Sequence, residues 1–196
     1  MNLHGEKTLD FLLNRRSVTA KTMTDRSPSP QQLEAMLTAA VRVPDHGKIA
    51  PWNLVVIQGD ARAEFGEQVL RPAFARVNPD AQPSTVDIEA AKFTRAGVVV
   101  AVLSTPKDVA KIPVWEMHLS AGAVCATLLY AAQSAGFAAQ WLTEWMAFDD
   151  AVLSALGGQP GRDQIAGFIY IGGQREEPTE RPRPALEDVV TRWGEG

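Results

Sequence analysis

Apolar residues recur along the chain at two spacings, one typical of helices and one typical of buried strands. Between Leu33 and Val41 they recur every three or four residues, which predicts a helix that ends near Val41. Residues 29–32, Ser-Pro-Gln-Gln, have the pattern of a capping box, with serine at the N-cap and proline at the first helical position. A shorter helix is predicted over 8–14, and residues 25–30 predict a turn or linker.

Four short apolar runs have the length and composition of buried strands, and they cover 54–58, 97–104, 137–142 and 165–171. Further helices are predicted between these runs, over 60–77, 87–94, 114–135 and 149–156. Pro72 is expected to disrupt the C-terminal part of the first of these helices. Residues 78–85 are predicted to form an exposed loop. Because runs of helix separate the strands, we predict an α+β or α/β sandwich in one domain, followed by an extended, proline-rich tail from Pro178.

The stretch from Leu119 to Thr143 contains no Asp, Glu, Lys or Arg and is long enough to suggest a membrane span. Polar residues interrupt it, however, at Ser120, Thr127, Gln133, Ser134 and Gln140. We therefore predict a long buried helix that leads into a strand. A helix that is apolar on nearly all sides needs neighbours all round, and in a chain of 196 residues a second subunit could supply some of them.

Composition and charge narrow the class of protein. A length of 196 residues suits one compact domain, 1–196, and a net charge of −4 argues against a general nucleic-acid binder. Cys125 is the sole cysteine, so no intrachain disulfide can form, and its apolar surroundings predict burial. The first residues lack the pattern of a secretory signal, so we expect a cytoplasmic protein that no membrane segment anchors.

The common catalytic signatures are missing from the sequence. It contains no G-x-S-x-G elbow, P-loop, G-x-G-x-x-G or HExxH motif, and its histidines do not stand at metal-ligand spacing. If the protein is an enzyme, a bound cofactor is therefore expected to carry out the difficult chemistry.

Two charged segments are candidates for ligand binding. Arg15-Arg16-Ser17 offers two planar guanidiniums and a hydroxyl, which suit a phosphate, but basic residues also favour the C-terminal ends of helices. The loop 42–53 crowds Arg42, His46 and two other charged residues beside a predicted strand. It could be a binding loop, or a solvated connection with Trp52 in the core.

Two further segments remain open when each is read alone. In QWLTEW, 140–145, Trp141 could stack on a planar ligand and Thr143 could donate a hydrogen bond, or both tryptophans could belong to the core. Arg181 and Arg183 in the tail could close on an anion, or they could simply be exposed to solvent.

Taken together, these segments resemble the FMN-dependent nitroreductase family, and they follow one another in the order that the family shows. The resemblance lies in RRS at 15–17, VPDHGKIAPWNLVVI at 43–57, the helix around 120–137, WLT at 141–143, GFIYIGG at 167–173 and RPALEDVV at 183–190. It implies an α+β three-layer sandwich with a central, mostly antiparallel sheet flanked by helices. It also implies a long buried central helix and an intertwined homodimer with FMN at the subunit interface.

The resemblance also implies roles for particular residues. Arg15, Arg16 and Ser17 match positions that contact the FMN phosphate, ribityl chain and pyrimidine edge. Arg42 and His46 lie on the loop that approaches the flavin from the other subunit. The segment Trp141, Leu142 and Thr143 lies against the flavin ring, and Arg183 matches a late basic residue that reaches the phosphate. No residue is assigned a catalytic role and no metal is expected.

The implied reaction is ping-pong, in which NAD(P)H reduces the flavin and a nitroaromatic, a quinone or another small acceptor then takes two electrons. Two positions depart from the family pattern, because Thr19 stands where many members carry a positive charge and Ala50 stands where many carry glutamine. The charge that stabilises reduced flavin would then come from elsewhere, such as Arg16 or a backbone dipole. The alternatives are a family relative with other flavin chemistry, such as dehalogenation or flavin fragmentation, a non-catalytic FMN-binding module, or structural arginines that bind no flavin.

Overall fold

The computed structural model describes residues 5–194. Its α-helices are α1 Gly5–Asn14, α2 Pro30–Ala40, α3 Ala61–Phe65, α4 Arg71–Val77, α5 Pro83–Ala90, α6 Val114–Ser134, α7 Asp150–Ala155 and α8 Leu186–Val189. Its strands are β1 Met23–Thr24, β2 Trp52–Gln58, β3 Val98–Ser104, β4 Ala138–Leu142 and β5 Gln164–Gln174. The four predicted strands are confirmed, and β1 was missed because two residues carry no alternation that a sequence could show.

The sheet is antiparallel at every pairing within residues 5–194. Its order is β1-β5-β3-β2, and β4 also pairs with β5. Strand β4 lies beside residues 168–172 of β5 and β1 lies beside 173–174, so both flank the edge of β5 opposite β3. This edge of the sheet is where the candidate site is built.

The sheet is the middle of three layers, as the resemblance implied. Alternate residues of β3 enter two separate apolar clusters, because successive side chains of a strand point to opposite faces. Val98, Val100 and Val102 pack on the side of α2 and α6. Val99, Ala101 and Leu103 pack on the side that holds Phe93, Leu153 and Tyr170.

Two helix boundaries have a local cause, the capping box that begins α2 and the proline that follows the π-helical turn before α4. The predicted capping box is confirmed, because Gln32 N donates to Ser29 Oγ at 3.2 Å and Ser29 N donates to Gln32 Oε1 at 2.9 Å. The predicted helix over 60–77 is instead three joined segments, with a π-helical turn, Gly66–Leu70, between α3 and α4. Pro72 explains this turn, since its ring clashes with the regular helical register and Arg71 N donates to Gly66 O five residues back.

The long helix α6 is confirmed almost to the residue, but in the single chain it is buried on one side. Its buried face includes Val124, Cys125 and Leu128, and the stripe on its opposite face is only half covered or exposed. That stripe consists of Leu119, Gly122, Ala123, Ala126, Thr127 and Tyr130. Within residues 5–194 no helix is both long and apolar enough to cross a membrane.

Candidate functional site

The segment that follows α1 lies against the end of α6 and the free edge of β4. Arg15 Nε donates to Gln133 Oε1 at 2.8 Å, and Gln133 Nε2 donates back to the carbonyl oxygen of Arg16 at 2.5 Å. Further along, Val18 N donates to Ala139 O at 3.2 Å and Ala20 N donates to the side chain of Gln140. These bonds fix the RRS segment on a rigid frame.

Arg15, Arg16, Ser17 and Arg183, four of the predicted ligand-binding residues, line one cavity of about 230 Å³. Thr179 and Arg181 complete its lining, and we call this cavity the arginine cleft. The Arg15 guanidinium lies 5.5 Å from the centre of the Tyr130 ring and Nη2 donates to Ser17 Oγ at 3.1 Å. Four guanidiniums and two hydroxyls form a donor set that suits a phosphate group, so the residues present fit the predicted phosphate.

One carboxylate lies among these cations. Glu180 Oε2 is 2.6 Å from Arg16 Nε, in an ion pair whose N–H is not aligned for a hydrogen bond. Its other oxygen, Oε1, is 3.6 Å from Arg183 Nη2. Glu180 therefore neutralises part of the charge that a phosphate would meet in the arginine cleft.

The WLT segment ends β4 and presents its side chains to two faces of the sheet. Trp141 lies on the α6 side, 39% exposed, and its Nε1 donates to Ala166 O at 3.1 Å. Its indole covers Gly167, where any side chain would collide with the ring. Leu142 packs on the other side, and Trp145 is a core residue that lies against Phe74. Only Trp141 of the two tryptophans thus offers an exposed aromatic surface.

The loop that carries Arg42 and His46 is fastened to the beginning of α6. His46 Nδ1 lies 2.7 Å from Glu116 Oε2. Ser120 Oγ donates to Pro44 O at 2.8 Å and accepts from Trp52 Nε1 at 3.1 Å. Trp52 packs against the core, so the structural role considered for it is confirmed, while Arg42 and His46 are exposed.

The same loop has a strained backbone. Gly47, Lys48 and Ala50 have positive φ values of 74°, 56° and 46°. For a residue with a side chain this costs about 1–3 kcal/mol, and such strain is common at ligand sites. The Asp45 carboxylate holds the turn by accepting from Ile49 N at 3.3 Å and Ala50 N at 2.8 Å.

The two halves of the predicted site do not meet within one chain. Arg15 is bound to Gln133, and His46 lies against Glu116, seventeen positions earlier on the same helix. At 1.5 Å per residue these positions are about 26 Å apart along the helix axis. The structure thus joins Arg15, Arg16, Ser17 and Arg183 in one cleft and places Arg42 and His46 elsewhere.

A cluster of buried charges lies directly after Thr143. Lys92 is 5% exposed and its Nζ contacts Glu144 Oε2 and, at 2.5 Å, Glu89 Oε2. The hydroxyl of Tyr170 is buried, without a hydrogen-bond partner among residues 5–194. Burial, with a smaller contribution from the charge of Glu144, raises the pKa of Tyr170 far above its usual value, so this phenol stays protonated.

Three residues that hold the site were recognised in the sequence only as polar interruptions of an apolar stretch. Gln133 holds the RRS segment, Ser120 holds the loop before β2, and Gln140 holds Ala20. Glu180 and Glu144 had no signal at all, because Arg16 is distant in sequence from Glu180, and Lys92 and Arg95 are distant from Glu144. Within residues 5–194 no group of three His, Cys, Asp or Glu side chains could hold a metal ion.

Comparisons with known proteins identify the family. The model of the nitroreductase family matches residues 12–173. The chain is 31% identical over 164 residues to the Escherichia coli K12 protein named "Putative NAD(P)H nitroreductase YdjA", covering 84% of this chain and 86% of that protein. It is 29% identical over 184 residues to a Haemophilus influenzae protein named "Putative NAD(P)H nitroreductase", covering 93% and 97%.

Solved structures show the same fold. A nitroreductase-like family protein from Bacillus cereus superposes with a TM-score of 0.79 at 19% identity, covering 94% of each chain. A nitroreductase with bound FMN from Bacteroides fragilis superposes with a TM-score of 0.70 at 19% identity, covering 95% of this chain and 98% of that one. The family match over residues 12–173 and the identity with the Escherichia coli protein show that the chain belongs to the nitroreductase family.

Proposed function

We propose that this protein is an FMN-dependent oxidoreductase that uses NAD(P)H to reduce nitroaromatics, quinones or similar small acceptors. The observation that carries the proposal is the arginine cleft, because four guanidiniums converge on one cavity in a chain of net charge −4. The names of the Escherichia coli and Haemophilus influenzae relatives support NAD(P)H as the donor, and the Bacteroides fragilis structure with bound FMN supports the cofactor.

In this proposal, the residues of the cleft bind and orient the cofactor. Arg15, Arg16 and Arg183 donate to the phosphate, and Ser17 adds a hydroxyl. Strand β4 runs from Ala139, beside Val18, towards Thr143, which lies just past the end of the strand, four residues or about 13 Å away. An elongated ligand with its phosphate in the cleft would extend along this edge, with its ring near Trp141 and Thr143.

The bound flavin would supply the redox chemistry, taking a hydride equivalent from NAD(P)H and passing two electrons to the acceptor. The protein's contribution is then to hold the ring, exclude water and stabilise negative charge on it. No side chain is required as a nucleophile or general base, and we assign none.

We further propose that the active unit is an intertwined homodimer in which His46 and Arg42 of one subunit approach the flavin of the other. The half-covered stripe of α6 supports this arrangement, because its residues are spaced symmetrically about the midpoint between Val124 and Cys125. A two-fold axis through that midpoint would pack two copies of α6 antiparallel, with small residues such as Gly122 and Ala126 at close approach.

The same axis would complete the site. Glu116 and Gln133 lie at equal distances from that midpoint, so antiparallel packing brings Glu116 of the partner subunit opposite Gln133. Since His46 lies against Glu116 and Arg15 against Gln133, His46 of the partner subunit would reach the arginine cleft. The dimer thereby joins the two halves of the site that one chain keeps about 26 Å apart.

Anaerobic addition of NADPH to the FMN-loaded protein tests the reaction. We expect the visible absorbance of the flavin to bleach and a nitroaromatic or a quinone to restore it. A protein that stays colourless after incubation with FMN contradicts the proposal. Bound flavin that does not bleach would identify a non-catalytic FMN-binding module. Bleaching that none of these acceptors reverses would point to a relative with other flavin chemistry.

A further inference from the structure

The turn between β4 and the next segment contains a backbone conformation that glycine normally adopts. Glu144 has φ 52° and ψ −172°, next to a region of the Ramachandran plot that is almost exclusive to glycine. It is one of three residues other than glycine with positive φ among residues 5–194, and the other two lie in the loop held by Asp45. A glutamate remains in such a conformation only when its surroundings force it.

The side chain of Glu144 makes two ion pairs. Oε2 contacts Lys92 Nζ, and Oε1 lies 3.6 Å from Arg95 Nη1. Both cations are largely buried, and they belong to one helical segment of five residues, Ala91–Arg95. Moving this carboxylate away would break both ion pairs in a largely buried setting, so Glu144 acts as a rigid tether.

The helical segment Ala91–Arg95, which carries both cations, is anchored in the core through Phe93. Phe93, between the two cations in sequence, is fully buried, and its ring centre lies 5.2 Å from those of Phe65 and Phe168. Lys92 is further held by Glu89, whose Oε2 also accepts from Trp145 Nε1 at 2.5 Å. Both sides of the turn after Thr143 are therefore fixed to the same core.

We propose that Glu144 is a positioning residue for the flavin: its ion pairs with Lys92 and Arg95 hold residue 144 in the strained conformation that sets the direction of the chain at Thr143. This inference rests on the proposed function, because it assumes that Thr143 lies beside the bound ring. The tether acts through the backbone, so the conformation of residue 144 matters and its carboxylate need not touch the ligand.

Two substitutions at the same position separate conformation from charge. Glu144→Ala and Glu144→Gly remove the same ion pairs, but only glycine adopts the native φ and ψ without steric cost. We expect Glu144→Ala to raise the Kd of the apoprotein for FMN about tenfold and Glu144→Gly to stay within about threefold of the original protein. The inference would be overturned if the two variants lost FMN affinity equally, if Glu144→Gly lost more than Glu144→Ala, or if Glu144→Ala lost none.

Glu89→Gln is the matched control, because it removes a negative charge from the same Lys92, while the amide oxygen of glutamine can still accept from Trp145 Nε1 and hold that side of the turn. We expect it to lower the melting temperature of the apoprotein and to change the Kd for FMN less than twofold. A change as large as that of Glu144→Ala would mean that the cluster acts only through general stability, and the inference would fail.

Arg95→Gln covers the case in which Glu144→Ala does not fold, since it loosens the tether and leaves Lys92 paired with two carboxylates. It should weaken FMN binding by about threefold or more, and an unchanged Kd would overturn the inference. FMN titration of the original protein separates the two proposals. No binding there overturns the proposed function, whereas normal binding there with equal losses in the Glu144 variants overturns this inference alone.

Discussion

Arg15 and His46 contact opposite ends of one helix, α6. Arg15 Nε donates to Gln133 near the C-terminal end of α6, and His46 Nδ1 lies against Glu116 near its N-terminal end. Two residues this far apart in one chain can bind the same ligand only if one of them comes from a second subunit. In the homodimer that we propose, the two chains cross at the half-covered stripe of α6, whose positions are symmetric about its middle.

Leu119→Glu tests the crossing. Leu119 belongs to the stripe and is 54% exposed in the single chain, so a charge there would be tolerated by a monomer and buried in the proposed dimer. We expect this variant to elute as a monomer in size-exclusion chromatography and to lose affinity for FMN.

Ile88→Glu is the control for Leu119→Glu, because Ile88 is 58% exposed and lies on α5, outside the stripe. It should leave the oligomeric state unchanged. A Leu119→Glu protein that remains a dimer, or an original protein that is a monomer with full activity, would contradict the arrangement.

Arg15→Ala tests the arginine cleft. Loss of one charge-assisted contact costs about 1.5–3 kcal/mol, so FMN affinity should fall about tenfold to a hundredfold in a fluorescence titration. Arg71→Ala is a suitable control, because it removes a guanidinium paired with Glu67 and Asp87, away from the cleft. If the two variants bind FMN equally well, Arg15 does not hold the phosphate.

Glu180→Gln should act in the opposite direction to Arg15→Ala. The Glu180 carboxylate pairs with Arg16 and Arg183, and an incoming phosphate must compete with it for the same cations. Neutralising it should tighten FMN binding about threefold to tenfold, with the larger effect at low salt.

Glu187→Gln provides the comparison for Glu180→Gln, since Glu187 is an exposed carboxylate on α8 in the same tail. Its FMN affinity should match that of the original protein. Weaker binding by Glu180→Gln would show instead that Glu180 orders the arginines for the ligand.

The sequence predicted those parts of the molecule whose signals are local. The capping box at Ser29, the strand 97–104 and the long helix α6 each depend on neighbours within a few residues, and each is confirmed. Strand β1 and the π-helical turn before Pro72 were missed, because one depends on pairing with Gly173 and Gln174 and the other on a shift of helical register.

The candidate site divides in the same way. The RRS motif was visible, but its fixing by Gln133, which is more than a hundred positions away, was not. Glu144 reads as an ordinary polar residue in sequence, since only the folded backbone shows its positive φ and its two buried cations. Contact with a flavin stays a prediction for every residue of the site, both for those of the arginine cleft and for Arg42, His46, Trp141, Leu142 and Thr143.

Cys125 offers a test of the α6 packing that is independent of any ligand. Burial raises the pKa of its thiol from 9.0 to about 12, so the folded protein holds about a thousandfold less thiolate than an unfolded chain near neutral pH. We expect almost no reaction with a thiol reagent at pH 8 until denaturant is added.

The same shift of the Cys125 pKa fixes the sign of a pH effect. The unfolded chain loses the thiol proton near pH 9, whereas the folded chain retains it up to about pH 12. The contribution of the buried, protonated Cys125 thiol to the free energy of unfolding is therefore fully present below pH 9, and it is lost as the pH rises from 9 towards 12. Rapid labelling of the native protein at pH 8 would contradict the buried position of Cys125.

A comparison of FMN with riboflavin tests the central claim most directly, because the two ligands share the ring and the ribityl chain and differ only in the phosphate. We predict that the apoprotein binds FMN at least about tenfold more tightly than riboflavin in parallel fluorescence titrations, and that Arg15→Ala clearly reduces this difference. Equal affinities for the two ligands, or a preference for FMN that Arg15→Ala leaves unchanged, would contradict the assignment of the arginine cleft as a flavin-phosphate site.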